Sequence, residues 1–121
     1  MSRILLIEDD DNNAYVVSAR LGRLGYEVAV AGDGEAGVAR ARALRPDLVI
    51  MDLSLPVLNG WEAMRRLRTQ GETARIPILV LSAHAMPEER ARALASGADD
   101  FETKPVRIAE LARKIETLLK R

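Results

Sequence analysis

Three apolar runs of this chain each stop at a side chain able to do phosphate chemistry. Ile4 to Ile7 leads into Glu8-Asp9-Asp10, Leu48 to Met51 into Asp52, and Ile78 to Leu81 into Ser82; a Lys-Pro step, Lys104-Pro105, completes the set. An aspartate is a competent nucleophile toward phosphorus when a metal and fixed cations neutralise the transferring oxygens. Magnesium usually takes one or two protein carboxylates together with phosphate and water. Glu8 and Asp9 beside Asp52 would provide such a Mg2+ site, built around an aspartate that can be phosphorylated. Lys104 would add a fixed positive charge, and Ser82 a hydroxyl able to donate to a phosphoryl oxygen.

Each of these residues alone also has a plainer reading. Asp52 is then a loop cap, Ser82 a hydroxyl satisfying strand-end backbone, Lys104 an exposed loop residue, and the acidic cluster a solvated helix start. Several like charges in one place are better explained by a cation among them. The register of that cluster is open: the metal pair is Glu8 with Asp9, which we prefer, or Asp9 with Asp10, and Asp10 or Asp11 caps the helix that follows.

Positioning these side chains at one place requires a particular arrangement of elements. Strands are expected near Arg3 to Ile7, Tyr26 to Ala31, Asp47 to Met51, Ile76 to Ser82 and Asp99 to Glu102. The first, third and fourth are nearly continuous in aliphatic residues, as in strands covered on both faces; the second and fifth are mixed, which suits sheet edges. Between them lie helical segments. Asn12 to about Leu24 places Ala14, Val17, Leu21 and Leu24 on one face and stops at Gly25; a second helix opens at Asp33 and ends by Arg45, before Pro46. A third follows Asn59-Gly60 with Trp61, Met64 and Leu67 spaced for burial. A fourth has Pro87 in its first turn, Glu88 and Glu89 favourable to its dipole and Gly97 beyond its end; the last runs from Ile108 to Leu119 and turns Ile108, Leu111, Ile115 and Leu118 inward. Strict β-α alternation predicts a doubly wound α/β sandwich, in which ligands bind outside the carboxyl ends of the strands.

Composition narrows the alternatives. With 121 residues, 48% of them hydrophobic, the chain is expected to be one domain over 1–121. Lys plus Arg equals Asp plus Glu at 18 each, with no long run of either sign, which argues against direct nucleic-acid or membrane-surface binding. There is no cysteine and no apolar stretch of membrane-spanning length, so a soluble, cytoplasmic protein is expected, with Met1 as a native start and a C-terminal end that is either natural or cut.

The segments ILLIEDD, LVIMDLSLPVLNGWE, ILVLSAHA and GADDFETKP resemble, in order and across essentially the whole chain, the signature segments of response-regulator receiver domains. The resemblance implies a flavodoxin-like sheet of order 2-1-3-4-5 and an Asp52 that accepts a phosphoryl group from a phosphohistidine on a histidine kinase or histidine phosphotransfer protein. It further implies Asp9 as the direct magnesium ligand, Glu8 acting through water, and the backbone carbonyl of Ser54 completing the set. Lys104-Pro105 would be cis, aiming the ammonium at the pocket. Ser82 and Phe101 would form the switch, the hydroxyl moving toward the phosphoryl group and the aromatic ring turning inward behind it. Ser54 and His84 hold rim positions that set the lifetime of the aspartyl phosphate. The output face would be the fourth helix, fifth strand and fifth helix, read by a downstream target or output domain. Arg90, Arg92, Asp99, Asp100, Arg107 and Arg113 on that face could pair across a homodimer, although a solvated face is the better account of such charges.

Other classes fit less well. An aspartate-nucleophile phosphatase needs a second aspartate two residues after the first as general acid, and that position is Ser54. A degenerate receiver acting as an unphosphorylated interaction module would lack one of the acidic pair, acceptor, hydroxyl or lysine, and all are present. No GxGxxG loop supports a nucleotide binder. His84, the only histidine, lies in a loop, a poor place for a phosphodonor.

Overall fold

The computed structural model describes residues 2–84 and 86–120. Met1, Ala85 at the end of the ILVLSAHA run, and Arg121 lie outside the described residues. The elements alternate as β1 (Arg3–Ile7), α1 (Asp11–Arg23), β2 (Glu27–Ala31), α2 (Gly34–Leu44), β3 (Leu48–Asp52), α3 (Gly60–Thr69), β4 (Ile78–Ser82), α4 (Pro87–Ala95), β5 (Asp100–Thr103) and α5 (Ile108–Leu119). All strands are parallel, in the order β2-β1-β3-β4-β5. This is the expected flavodoxin-like sandwich.

Strand alternation divides the core into two layers. Ile4, Leu6, Leu48, Ile50, Leu79 and Leu81 face α1 and α5, meeting Val17, Leu21, Leu111 and Ile115. Leu5, Ile7, Val49, Met51, Ile78 and Val80 face α2, α3 and α4, meeting Val38, Met64, Leu67 and Ala93. The three inner strands are buried almost throughout, whereas β2 and β5 mix buried and exposed positions at the edges.

Several boundaries differ from expectation by one or two residues, each for a local reason. Asp10 is the N-cap of α1, its Oδ1 accepting the Asn13 N–H at 2.9 Å, so the helix starts at Asp11. Leu24 is the C-cap and is 53% exposed; the helix has already ended there and its side chain leaves the buried face. β2 begins after Tyr26, whose N–H returns to the Leu21 carbonyl and finishes the helix turn. β4 starts at Ile78 because Pro77 has no N–H to give and the Ile76 carbonyl accepts from Arg68. β3 and β5 each run one residue further than expected, to Asp52 and Thr103, which pair with Leu81 and Ser82. β5 also starts one residue later, at Asp100. Trp61 and Ile108 are half-buried rather than core.

The helix caps confirm the remaining punctuation. Asp33 accepts the Ala36 N–H at 2.7 Å, Asn59 accepts the Glu62 N–H at 3.0 Å, and Pro87 occupies the first turn of α4.

Candidate functional site

The register of the sheet brings the sequence-separated residues to one edge. Ile7 pairs with Met51, Asp52 with Leu81 and Ser82 with Thr103, so Glu8, Asp52, Ser82 and Lys104 all emerge at the carboxyl ends of adjacent strands. Backbone bonds continue the ladder past the strands: the Glu8 N–H donates to the Ala31 carbonyl at 3.0 Å, and the Lys104 N–H to the Ser82 carbonyl at 2.8 Å. The roots of the acid and of the lysine are thereby fixed before their side chains are considered. Gly60 closes the floor, because a Cβ there would lie 2.4 Å from the Asp52 carbonyl oxygen and 2.5 Å from Leu53 Cα. Only glycine lets α3 start this close to the end of β3.

Lys104 is the centre of the electrostatics. Its Nζ lies 2.9 Å from Glu8 Oε1 and 2.9 Å from Asp52 Oδ2. Both carboxylates are buried, at 3% and 4% exposure. The Lys104–Pro105 peptide is cis. Burial pushes the Glu8 carboxyl up to about 7, reinforced by its hydrogen bond with Asp52 and that neighbour's charge; Lys104 and the Asp10 N–H work in the opposite direction. Burial alone would lower the Lys104 ammonium, but the hydrogen bonds and charges of Asp52 and Glu8 outweigh it and raise the pKa.

Asp9 adds a third carboxylate. One oxygen each from Glu8, Asp9 and Asp52 lie within 4.8 Å of one another, and Asp9 is exposed to solvent. Three hard oxygen donors, two of them buried and one open to water, match the preference of magnesium for carboxylates with several retained waters. Asp10 points the other way, into the first turn of α1, and is not among the converging oxygens.

The other expected residues surround this centre. The Ser54 N–H donates to Asp52 Oδ1 at 3.0 Å, and the Ser54 residue is exposed. Ser82 is buried; its Oγ accepts the His84 N–H at 3.0 Å and donates to Glu89 Oε1. His84 is exposed beside it. Phe101 is buried, with its ring in the core layer beneath α3 and α4. An open groove of about 460 Å³ reaches Glu8 and Lys104 from the side of Asn13, Val16 and Val106.

On the fourth-helix face, charges offered as cross-dimer partners are partly committed within the chain. Arg68 binds Asp99 at 2.8 Å, Arg113 pairs with Glu110 at 3.0 Å, and Arg92 lies 4.0 Å over the Trp61 ring. Sequence reasoning missed the contact of Glu89 with Ser82. Its signal was present as a Glu at the third position of α4 following an N-cap, Met86, with no capping side chain.

Comparison with known proteins agrees with this geometry. The family model for the response regulator receiver domain matches residues 4–116. The DNA-binding dual master transcriptional regulator RpaA of Synechocystis is 41% identical over 121 residues, covering 100% of this chain and 50% of RpaA. The chain thus spans about half the length of several transcriptional regulators it matches. Protein PilH of Pseudomonas aeruginosa is 36% identical over 119 residues, with 98% of each chain covered. Among solved structures, the receiver domain of the sensor histidine kinase PA1611 of P. aeruginosa, with magnesium coordinated in its active-site cleft, is 38% identical, covers 99% of this chain and 98% of that chain, and gives a TM-score of 0.92. No helix among the described residues is long and apolar enough to cross a membrane. Sheet order, edge chemistry and likeness over nearly the whole chain converge: the chain belongs to the response regulator receiver domain family, the signalling switches of two-component systems.

Proposed function

We propose that this receiver, as one domain over 1–121, accepts a phosphoryl group on Asp52 from a phosphohistidine of a histidine kinase or histidine phosphotransfer protein, in a magnesium-dependent reaction. The observation that carries the reading is the single ammonium, Lys104, held 2.9 Å from both Glu8 and Asp52, with Asp9 completing a carboxylate cluster at the same sheet edge. Transfer breaks the P–N bond of the donor imidazole as a P–O bond forms to an Asp52 carboxylate oxygen, and the electron pair returns to the imidazole nitrogen. The Ser54 N–H on Oδ1 holds the nucleophile in place. Lys104 sets a positive charge where the transferring oxygens gather, and the Ser82 hydroxyl would donate to one of them in the phosphorylated state.

Glu8, Asp9 and Asp52 would hold the cation, with the Ser54 carbonyl as a further oxygen. Mg2+, when bound, neutralises the oxygens of the incoming phosphoryl group and fixes their direction. The switch runs from Ser82 and Phe101 to the face of α4, β5 and α5, which a downstream protein or an attached output domain reads. Ser54 and His84, exposed at the rim, control water access to the acyl phosphate and hence its lifetime.

The test is intact-protein mass after incubation with acetyl phosphate, with and without magnesium, on the native chain and on Asp52→Asn. The expected result is a magnesium-dependent, hydroxylamine-labile gain of one phosphoryl group that Asp52→Asn loses. No gain in a folded native protein would refute the reading and favour an unphosphorylated interaction module.

A further inference from the structure

A serine hydroxyl has one proton to give. In this structure the Ser82 proton goes to Glu89, while Ser82 Oγ accepts the His84 N–H at 3.0 Å; the His84 carbonyl, at 3.4 Å, is the more distant acceptor. Ser82 is 2% exposed, so water does not easily replace a lost partner. The hydroxyl therefore cannot donate to Glu89 and to a phosphoryl oxygen at once.

The helix that carries Glu89 is weakly held at that end. Met86, its N-cap, offers no side-chain hydrogen bond and is 60% exposed. Pro87, Glu88 and Arg90 are exposed, and Ala93 is the one buried residue of α4 among those described. The opposite end is tied down: Arg92 stacks on Trp61, and Arg68 Nε donates to the Gly97 carbonyl at 3.0 Å just beyond the helix. Glu89 sits at the third helical position, where such a residue commonly reaches back to the N-cap N–H. Here it reaches across to β4 instead.

We infer that Glu89 is a latch: in the unphosphorylated chain it holds the Ser82 hydroxyl and with it the first turn of α4, and a phosphoryl group on Asp52 opens the latch by taking the Ser82 proton. This rests on the reading of Asp52 as acceptor and adds to it a second, competing acceptor on the helix of the output face. Glu89 is a positioning residue that acts through Ser82. Its cost to activation is the hydrogen bond that must be given up, and its use is that loss of the bond frees the first turn of α4, whose N-cap offers no side-chain hydrogen bond.

Two measurements on the full chain test the latch. The first is hydrogen exchange of the α4 amides without any phosphodonor. Glu89→Ala and Ser82→Ala are each expected to speed exchange in the first turn of α4, the double variant no more than either alone, and Glu89→Gln, which keeps an acceptor oxygen, to restore part of the protection. Equal exchange in native and Glu89→Ala protein overturns the inference, whatever Asp52 does. The second is titration with beryllofluoride and magnesium, followed by the fluorescence of Trp61, the only tryptophan. Glu89→Ala is expected to bind about tenfold more tightly, the scale of one lost charge-assisted hydrogen bond, and the gain is expected to vanish in the Ser82→Ala background. An equal gain in that background would mean that Glu89 acts only as a negative charge near an anion, and the latch would be wrong. Failure of native protein to bind the analogue would contradict the acceptor reading, while the exchange data would still decide the latch.

Discussion

Replacing Lys104 with Met keeps the length of the side chain and removes the charge that two buried carboxylates share. At 2.9 Å and an effective dielectric of about 20, each ammonium–carboxylate contact is worth about 6 kcal/mol of Coulomb energy before desolvation is counted. Desolvation offsets most of this, and removal of one partner from a buried pair costs about 3–5 kcal/mol in practice. The Lys104 side chain is 20% exposed, so water relieves part of the penalty and we expect about 2–4 kcal/mol at pH 8 without divalent cations. The pH dependence has a definite sign. Glu8 titrates near 7 in the folded chain, above the ordinary 4.5, so its charge opposes folding above that value and the opposition fades as pH falls toward 4.5. Without Lys104 the Glu8 carboxyl rises further, and the deficit of Lys104→Met should shrink between pH 8 and pH 6. Millimolar magnesium should also narrow it, because the cation supplies the missing charge and meets no competing ammonium. Urea unfolding at the two pH values, with and without magnesium, measures all three effects. A variant as stable as native protein at pH 8, or a deficit that grows on acidification, would refute the account of the site's electrostatics.

Magnesium binding itself should weaken below pH about 7, by up to about tenfold per unit, since Glu8 must lose its proton to neighbour the cation; calorimetric titration at pH 6 and 8 reads this, and equal affinities would contradict it. Val57 is a β-branched residue at φ 66°, 78% exposed, in a three-residue turn where the Leu58 N–H bonds the Pro56 carbonyl at 2.7 Å; Val57→Gly should stabilise the chain by about 1 kcal/mol in urea unfolding, and a loss of stability would show that the turn is not strained. Arg68 donates to the carbonyls of Gly97, Ala74 and Ile76 and to the Asp99 carboxylate, binding α3 to the starts of β4 and β5; Arg68→Ala should cost about 2–4 kcal/mol in the same assay, and a change under about 0.5 kcal/mol would mean that these bonds are replaced by water.

Much of this arrangement was legible in the sequence because the inner strands are so apolar. Ile4 to Ile7, Leu48 to Met51 and Ile78 to Leu81 announce buried parallel strands, and the polar residue ending each is necessarily at the sheet edge where sites form. Strand order was not legible from periodicity; it came with the resemblance. The register of Glu8-Asp9-Asp10 was open because adjacent side chains leave the backbone in different directions, and only the N-cap geometry of Asp10 decides which carboxylate turns away. Leu24 was placed on the buried face by helical spacing, which does not know that the helix has already closed one residue earlier. The hydrogen bond from Ser82 to Glu89 and the fan of Arg68 were missed for another reason. Both tie one element to a neighbouring one through a long side chain, and a Glu in a first turn or an Arg in a last turn reads first as a favourable dipole contact.

The central claim is that Asp52 carries the phosphoryl group, and its most direct test is to mark the acceptor chemically. Protein treated with acetyl phosphate and magnesium would be reduced with borohydride, which converts an aspartyl phosphate to homoserine, then digested and sequenced by mass spectrometry. Homoserine at position 52 alone is the predicted result. Homoserine at Asp9 or Asp10, or a phosphorylated chain with Asp52 intact, would contradict it.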